Sequence, residues 1–167
     1  MKYPRYPEYR ASGVDWLGEV PAHWRVKRLK YFATCNDDVL PETTPDDHRL
    51  QYVDISSVSL ERGVERVEEY DFDQAPSRAR RRVRDGDTIL STVRTYLKAV
   101  ARISRPPDNL IVSTGFAVVR PGAEIDPGYL SYLLRSEGFI GEVVSRSVGV
   151  SYPAINASQI MDLLGLV

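Results

Sequence analysis

Five arginines fall within seven residues of this 167-residue chain: Arg78, Arg80, Arg81, Arg82 and Arg84. None is replaced by lysine, and a planar guanidinium fork suits bidentate contact with phosphate or guanine. The same run would serve equally as a solvated face neutralised by the acidic segment before it. Ser91-Thr92-Val93-Arg94-Thr95-Tyr96-Leu97-Lys98 follows, lying between two apolar, β-rich stretches. If both stretches are core strands, Ser91, Thr92, Arg94, Thr95, Tyr96 and Lys98 project together at one end of a sheet. That mixture suits phosphate positioning combined with base-edge reading; the plainer reading is an ordinary hairpin tip. A second hydroxyl-rich loop surrounds Gly149 and carries Ser147, Ser151 and Tyr152.

Catalytic chemistry finds little to work with. A hydrolytic triad needs a nucleophile, a histidine base and an orienting acid, and the only histidines are His23, in an aromatic segment, and His48, in an acidic one. The single cysteine, Cys35, excludes a disulfide framework or a multi-cysteine zinc site within one chain. Asp37-Asp38 and Asp46-Asp47 could offer oxygens to a hard cation, yet neither follows a calcium-loop pattern, and a solvated acidic face accounts for them. No phosphate loop and no dinucleotide fingerprint occurs. No metal and no cofactor is expected in this chain.

The elements that must position these loops can be read from periodicity and turn chemistry. Residues 1–24 hold Tyr3, Tyr6, Tyr9, Trp16 and Trp24 among three prolines, so they predict an extended arm whose aromatics pack on the body. Trp24 to Leu29 alternates apolar and basic residues and reads as a half-buried strand. Leu50 to Val58 reads as a strand, with Val64 to Tyr70 pairing back across Arg62-Gly63. Residues 74–84 predict a helix capped by Ser77. Strands are expected at Thr88–Val93 and Ala99–Ile103, then as a pair at Leu110–Val112 and Phe116–Val119 around Ser113-Thr114-Gly115. Asp126-Pro127-Gly128 opens a helix through Leu134. Another helix is expected near Phe139–Val144, and a last one, capped by Ser158, through Leu164. Strands in the middle and helices at the end, without regular alternation, predict an α+β fold: a single domain over 1–167 with a central, mostly antiparallel or mixed sheet and short helices.

Composition agrees with a folded domain: 43% hydrophobic and 27% charged residues exclude a disordered or collagen-like chain. No run approaches the roughly 20 apolar residues of a membrane helix, and the start leads into no apolar stretch, so an intracellular, cytoplasmic setting is expected. Net charge is −1, but it is segregated: residues 36–73 carry a net −9 and residues 74–105 a net +7. Local potential, not the total, governs attraction of a polyanion.

Tyr6-Pro7-Glu8-Tyr9-Arg10-Ala11-Ser12-Gly13-Val14-Asp15-Trp16-Leu17-Gly18-Glu19-Val20-Pro21-Ala22-His23-Trp24 resembles the opening of type I restriction–modification specificity subunits. Gly86 to Arg94 with Tyr96-Leu97-Lys98, Ser113 to Pro121, Tyr129 to Leu134, and Tyr152-Pro153-Ala154-Ile155-Asn156 resemble later parts of the family, so the similarity runs nearly the whole length. Where the family often has proline after the arginine, Thr95 stands here, and a differently bent loop is expected. The chain also stops where a first linking helix would follow, as an amino-terminal target recognition domain alone would. The resemblance implies a non-catalytic reader of one half of a split double-stranded DNA target. It implies methylation subunits binding S-adenosylmethionine and a motor–nuclease subunit using ATP and magnesium as partners, with no membrane. A rival from another class is a protein–protein interaction module whose working surface is the aromatic arm and the acidic segment. A small cation-dependent hydrolase would need the 37–47 carboxylates to converge.

Overall fold

The computed structural model describes residues 4–167. The aromatic arm folds into a hairpin of β1 (Tyr9–Ala11) and β2 (Glu19–Pro21). Then follow β3 (Val26–Arg28), β4 (Ala33–Cys35), β5 (Arg49–Val53), β6 (Val58–Ser59), β7 (Gly63–Val64), β8 (Glu68–Asp71) and β9 (Ala79–Arg82). Next come β10 (Thr88–Ser91), β11 (Val100–Arg102), β12 (Leu110–Ser113) and β13 (Phe116–Pro121). Helices α1 (Pro127–Arg135), α2 (Glu137–Arg146) and α3 (Ala157–Met161) follow, and β14 (Leu164–Leu166) ends the order.

The strands make two four-stranded sheets. One is antiparallel, in the order β11-β10-β13-β4; the other is mixed, in the order β8-β5-β12-β9, with β12 parallel to β5. The α+β class holds, with the expected central sheet divided in two. Side chains alternate across a strand, and here both faces of the antiparallel sheet are covered. Ile89, Phe116 and Val118 point into the core between the sheets, with Val53 and Val112 opposite. Leu90, Ala117 and Val119 point the other way, onto Leu130, Leu134, Phe139 and Ile140 of the helices. A third cluster, with Leu50, Tyr52, Phe72 and Ile111, covers the outer face of the mixed sheet.

Helix α1 begins where the sequence says: Asp126 accepts the Tyr129 amide at 2.9 Å, and Pro127 fills the first turn, where no amide is needed. Ser136 ends α1 and caps α2 by accepting from the Phe139 amide at 3.3 Å. The arm packs through its tryptophans: Trp16 meets Phe139 edge-on at 6.3 Å, and Trp24 meets Tyr129 at 5.3 Å, whereas Tyr6 and Tyr9 stay exposed and Tyr3 lies outside the described residues. Burial pushes the Tyr129 hydroxyl up to about 12.

Four expectations are corrected. The strand expected over Leu50–Val58 stops at Val53, where Asp54 caps a 3-10 turn at Ile55–Ser57. Residues 74–84 form no helix: a turn leads into β9, whose Ala79 is fully buried in the mixed sheet, while the Leu40 amide donates to the Arg80 carbonyl at 2.7 Å and the Arg82 amide to the Asp38 carbonyl at 3.0 Å. Burial and strand pairing override the helix-like run of charges. β12 and β13 are not a hairpin, because Ser113-Thr114-Gly115 carries the chain from one sheet into the other. The last helix is capped by Asn156, not Ser158, and stops at Met161; Leu164–Leu166 is a strand paired with β3. Among the described residues no helix is long and apolar enough to cross a membrane.

Candidate nucleic-acid interface

The turn that crosses between the sheets is the hub of the site. On one side the Thr114 amide donates to the Arg78 carbonyl at 2.8 Å, fixing the start of β9. On the other, the Gly115 carbonyl accepts from the Thr92 amide at 2.8 Å and the Thr92 hydroxyl at 2.9 Å, fixing the end of β10. Two segments far apart in sequence are thereby held together, and Arg78 and Arg94 open into one groove. Asp54, Ile55, Ser56, Val93, Leu97 and Tyr152 complete its lining, around a volume of about 390 Å³.

Arg94 begins a tight 3-10 turn, Thr95–Leu97, with φ 47° and ψ 49°; Lys98 ends it with φ 54° and ψ 41°. Both lie in the left-handed region, which costs a residue with a side chain about 1–2 kcal/mol. The surroundings hold this geometry. The Arg94 amide donates to the Pro153 carbonyl at 2.8 Å, and the Ile155 amide donates to the Thr92 carbonyl at 2.9 Å, tying the loop to the second hydroxyl-rich segment. The Arg94 guanidinium stacks on the Tyr152 ring, 4.7 Å from its centroid.

The hydroxyl residues singled out in the sequence divide by role. Ser91 and Thr95 are buried. The Ser91 hydroxyl donates to the Val93 carbonyl at 2.5 Å, and Thr95 and Ser147 share a hydrogen bond at 2.7 Å. Ser147 also donates to the Val143 carbonyl at 2.8 Å. With Thr92, these groups spend their bonding capacity on loop geometry. Proline in place of Thr95 would forfeit the link to Ser147. Arg94, Tyr96, Lys98, Ser151 and Tyr152 are exposed.

The arginine run is dealt to different places by its strand. Arg78 faces the groove. Arg80 lies over the Phe72 ring at 4.5 Å. Arg81 is half-buried and donates to the Thr114 carbonyl at 3.4 Å, and burial pulls its guanidinium below the ordinary value against the counter-effect of Cys35. Arg82 and Arg84 turn toward Asp38, at 3.8 and 2.8 Å. They line a separate cavity with Arg105 and Asp85. None of the ion pairs among the described residues involves Arg78, Arg94 or Lys98.

Sequence reasoning missed Asp54 and Ser56. Asp54 accepts from the Ser56 hydroxyl at 3.0 Å, the Ser56 amide at 3.3 Å and the Tyr52 hydroxyl at 3.1 Å. Desolvation raises its carboxyl, but these hydrogen bonds outweigh it and hold the group below its usual range. The groove therefore presents cationic donors, an anionic acceptor and an aromatic face. The carboxylates of the acidic loop are engaged elsewhere, Asp38 as above and Asp37 with Arg120. Among the described residues no three metal-ligating side chains converge.

No protein-family model matches the sequence. No curated protein matches it either. Solved structures do. The HsdS subunit from Thermoanaerobacter tengcongensis is 34% identical, with a TM-score of 0.76, over 89% of this chain. A chain from a study of complex assembly and conformational transition of the type I R-M system is 32% identical, with a TM-score of 0.79, over the same share. The chain spans 38% of the length of each. Over 89% of its residues the chain therefore shares its architecture, at 32–34% identity, with HsdS specificity subunits of type I restriction–modification systems.

Proposed function

We propose that this chain reads one half of a bipartite double-stranded DNA target for a type I restriction–modification complex, with residues 1–167 acting as one target recognition domain. The observation that carries the reading is the meeting of Arg78, Arg94 and Tyr152 in one open groove with Asp54. A guanidinium donates to guanine O6 and N7, and a carboxylate accepts from the cytosine amino group, so the groove holds complementary tools for base edges. Tyr96, Lys98 and Ser151 flank it as backbone contacts, while Ser91, Thr92, Thr95 and Ser147 hold the loop in shape. Arg80, Arg81, Arg82 and Arg84 add to the local positive field. Likeness to specificity subunits supports methylation subunits and a motor–nuclease subunit as partners, in the cytoplasm. In this reading the chain catalyses nothing; S-adenosylmethionine, ATP and magnesium belong to those partners.

The test is a salt titration of duplex binding. The isolated chain should bind weakly at physiological salt, near the non-specific range of about 10⁻⁴ to 10⁻⁶ M, and lose affinity steeply as salt rises. Arg94→Ala should cost about 1–3 kcal/mol on preferred sequences and relax preference at one base position. Absence of duplex binding, or tight binding indifferent to salt, would reject the reading. Capture of a methylation subunit by the arm, in that event, would favour a protein-interaction module.

A further inference from the structure

The loop beside the groove carries side chains that the fold itself does not use. Among the described residues Val150 is the most exposed large apolar side chain, at 103%, and Val148 follows at 79%. Tyr152, two residues on, is 66% exposed. The loop that holds them out is stiff. Val148 and Ala154 exchange both backbone hydrogen bonds, at 2.9 and 3.0 Å, closing residues 149–153 into a narrow tip. Gly149 has φ +128°, and a Cβ there would stand 3.0 Å from the Tyr152 carbonyl oxygen, so the tip is folded tightly on itself. Its base is fastened to the Arg94 loop through the Pro153 carbonyl and the Arg94–Tyr152 stack. Valine adds its own rigidity, since branching at Cβ restricts its rotamers.

A rigid apolar point in water calls for an apolar destination, and the cations around it state what surrounds that destination. Arg78 and Arg94 line the groove beside Tyr152 at the loop's base, and neither belongs to an ion pair among the described residues. A surface that is polyanionic outside and stacked and apolar inside is a nucleic-acid duplex. We infer that the Val148–Val150 tip is a wedge that enters a base step and unstacks it while Arg94 and Arg78 hold the flanking groove. The inference rests on the DNA-reading function above.

A wedge does less work where stacking is already weak. Two fluorescent duplexes of one length and sequence, one fully paired and one with a single central mismatch, separate the wedge from the groove. The wild-type chain should bind the mismatched duplex about tenfold tighter. The double variant Val148→Ser with Val150→Ser should lose that preference and keep salt-dependent binding to the paired duplex. Both side chains lie in solvent, so its melting temperature should match the wild type. A wild type without preference, or a double variant that retains it, overturns the wedge and leaves the tip to a protein partner. If the wild type binds neither duplex, the DNA reading itself falls, and the wedge with it.

Discussion

Removing the Asp87 carboxylate should destabilise the whole domain, through the strand that carries the Arg94 loop. Asp87 is 1% exposed and sits one residue before β10. Its two oxygens take a bidentate pair from Arg120, at 2.9 Å from Nε and 2.8 Å from Nη2, and one also accepts the Arg84 amide at 2.8 Å. The Asp87 hydrogen bond is the chief reason the Arg120 guanidinium lies above its ordinary value, against the opposing effect of burial. Asp87→Ala leaves that guanidinium, 15% exposed, with Asp37 as its one remaining ion-pair partner and Asp38 farther off, and orphans an amide. Breaking a buried pair in this way costs about 3–5 kcal/mol. For a domain of this size that is a fall in Tm of roughly 6–20 °C. Urea unfolding followed by tryptophan fluorescence should show the midpoint falling with an unchanged m value. Asp87→Leu combined with Arg120→Met should recover most of the loss, because an apolar replacement of both partners removes the stranded charge. A loss under about 1 kcal/mol for Asp87→Ala would refute the reasoning, since that is the worth of a solvated pair.

The arginine run can be separated by charge removal. Arg78→Gln should lower the slope of log affinity against log salt by about 0.9, one phosphate contact, whereas Arg82→Gln with Arg84→Gln should leave the slope and cost at most about 1 kcal/mol of stability. Equal slope changes would contradict the partition seen around Asp38. A Cβ on Gly138 would stand 2.3 Å from Trp16 Cε3, so Gly138→Ala should expel the indole and cost about 1–3 kcal/mol; an unshifted emission spectrum would show that the arm docks otherwise. Burial pushes the Cys35 thiol up to about 11, with Arg81 opposing. The unfolded thiol ionises from about 8.5, so between those values the unfolded state has lost a proton that the folded state keeps, and stability falls as pH rises. Wild type should lose stability relative to Cys35→Ala between about pH 8 and about pH 10 in urea melts; a constant difference would place the thiol in solvent.

Local signals were most readable where a single residue type decides the backbone. Asp126-Pro127 marked a helix start, and the hairpin of β10 and β11 followed from two apolar runs about a polar loop. The opposite held for β9. Five arginines look like an exposed face, yet their aliphatic stems can cover apolar surface while the charged ends find water or aspartate. Ala79, a small residue with no periodic partner, was the one sign of a buried strand. The Ser113-Thr114-Gly115 turn shows why the site was only half visible. Its residues announce a reversal, but whether the chain returns to its own sheet or crosses to another depends on β5 lying parallel to β12. That pairing also brings Asp54 and Ser56 to the groove, and nothing near them in sequence points to Arg94.

The pairing of β3 with β14 joins residues some 140 positions apart. Ribosomes add about 5–20 residues per second, so Val26–Arg28 wait roughly 7–28 seconds after emerging before Leu164–Leu166 exist to bond with them. Throughout that interval Leu29 and Phe32, wholly enclosed in the finished domain, lack their final neighbours from α3 and β14. The β3 segment is thus sticky by timing as much as by composition, and the charges of Arg25, Lys27, Arg28 and Lys30 help keep it unpaired until β14 arrives.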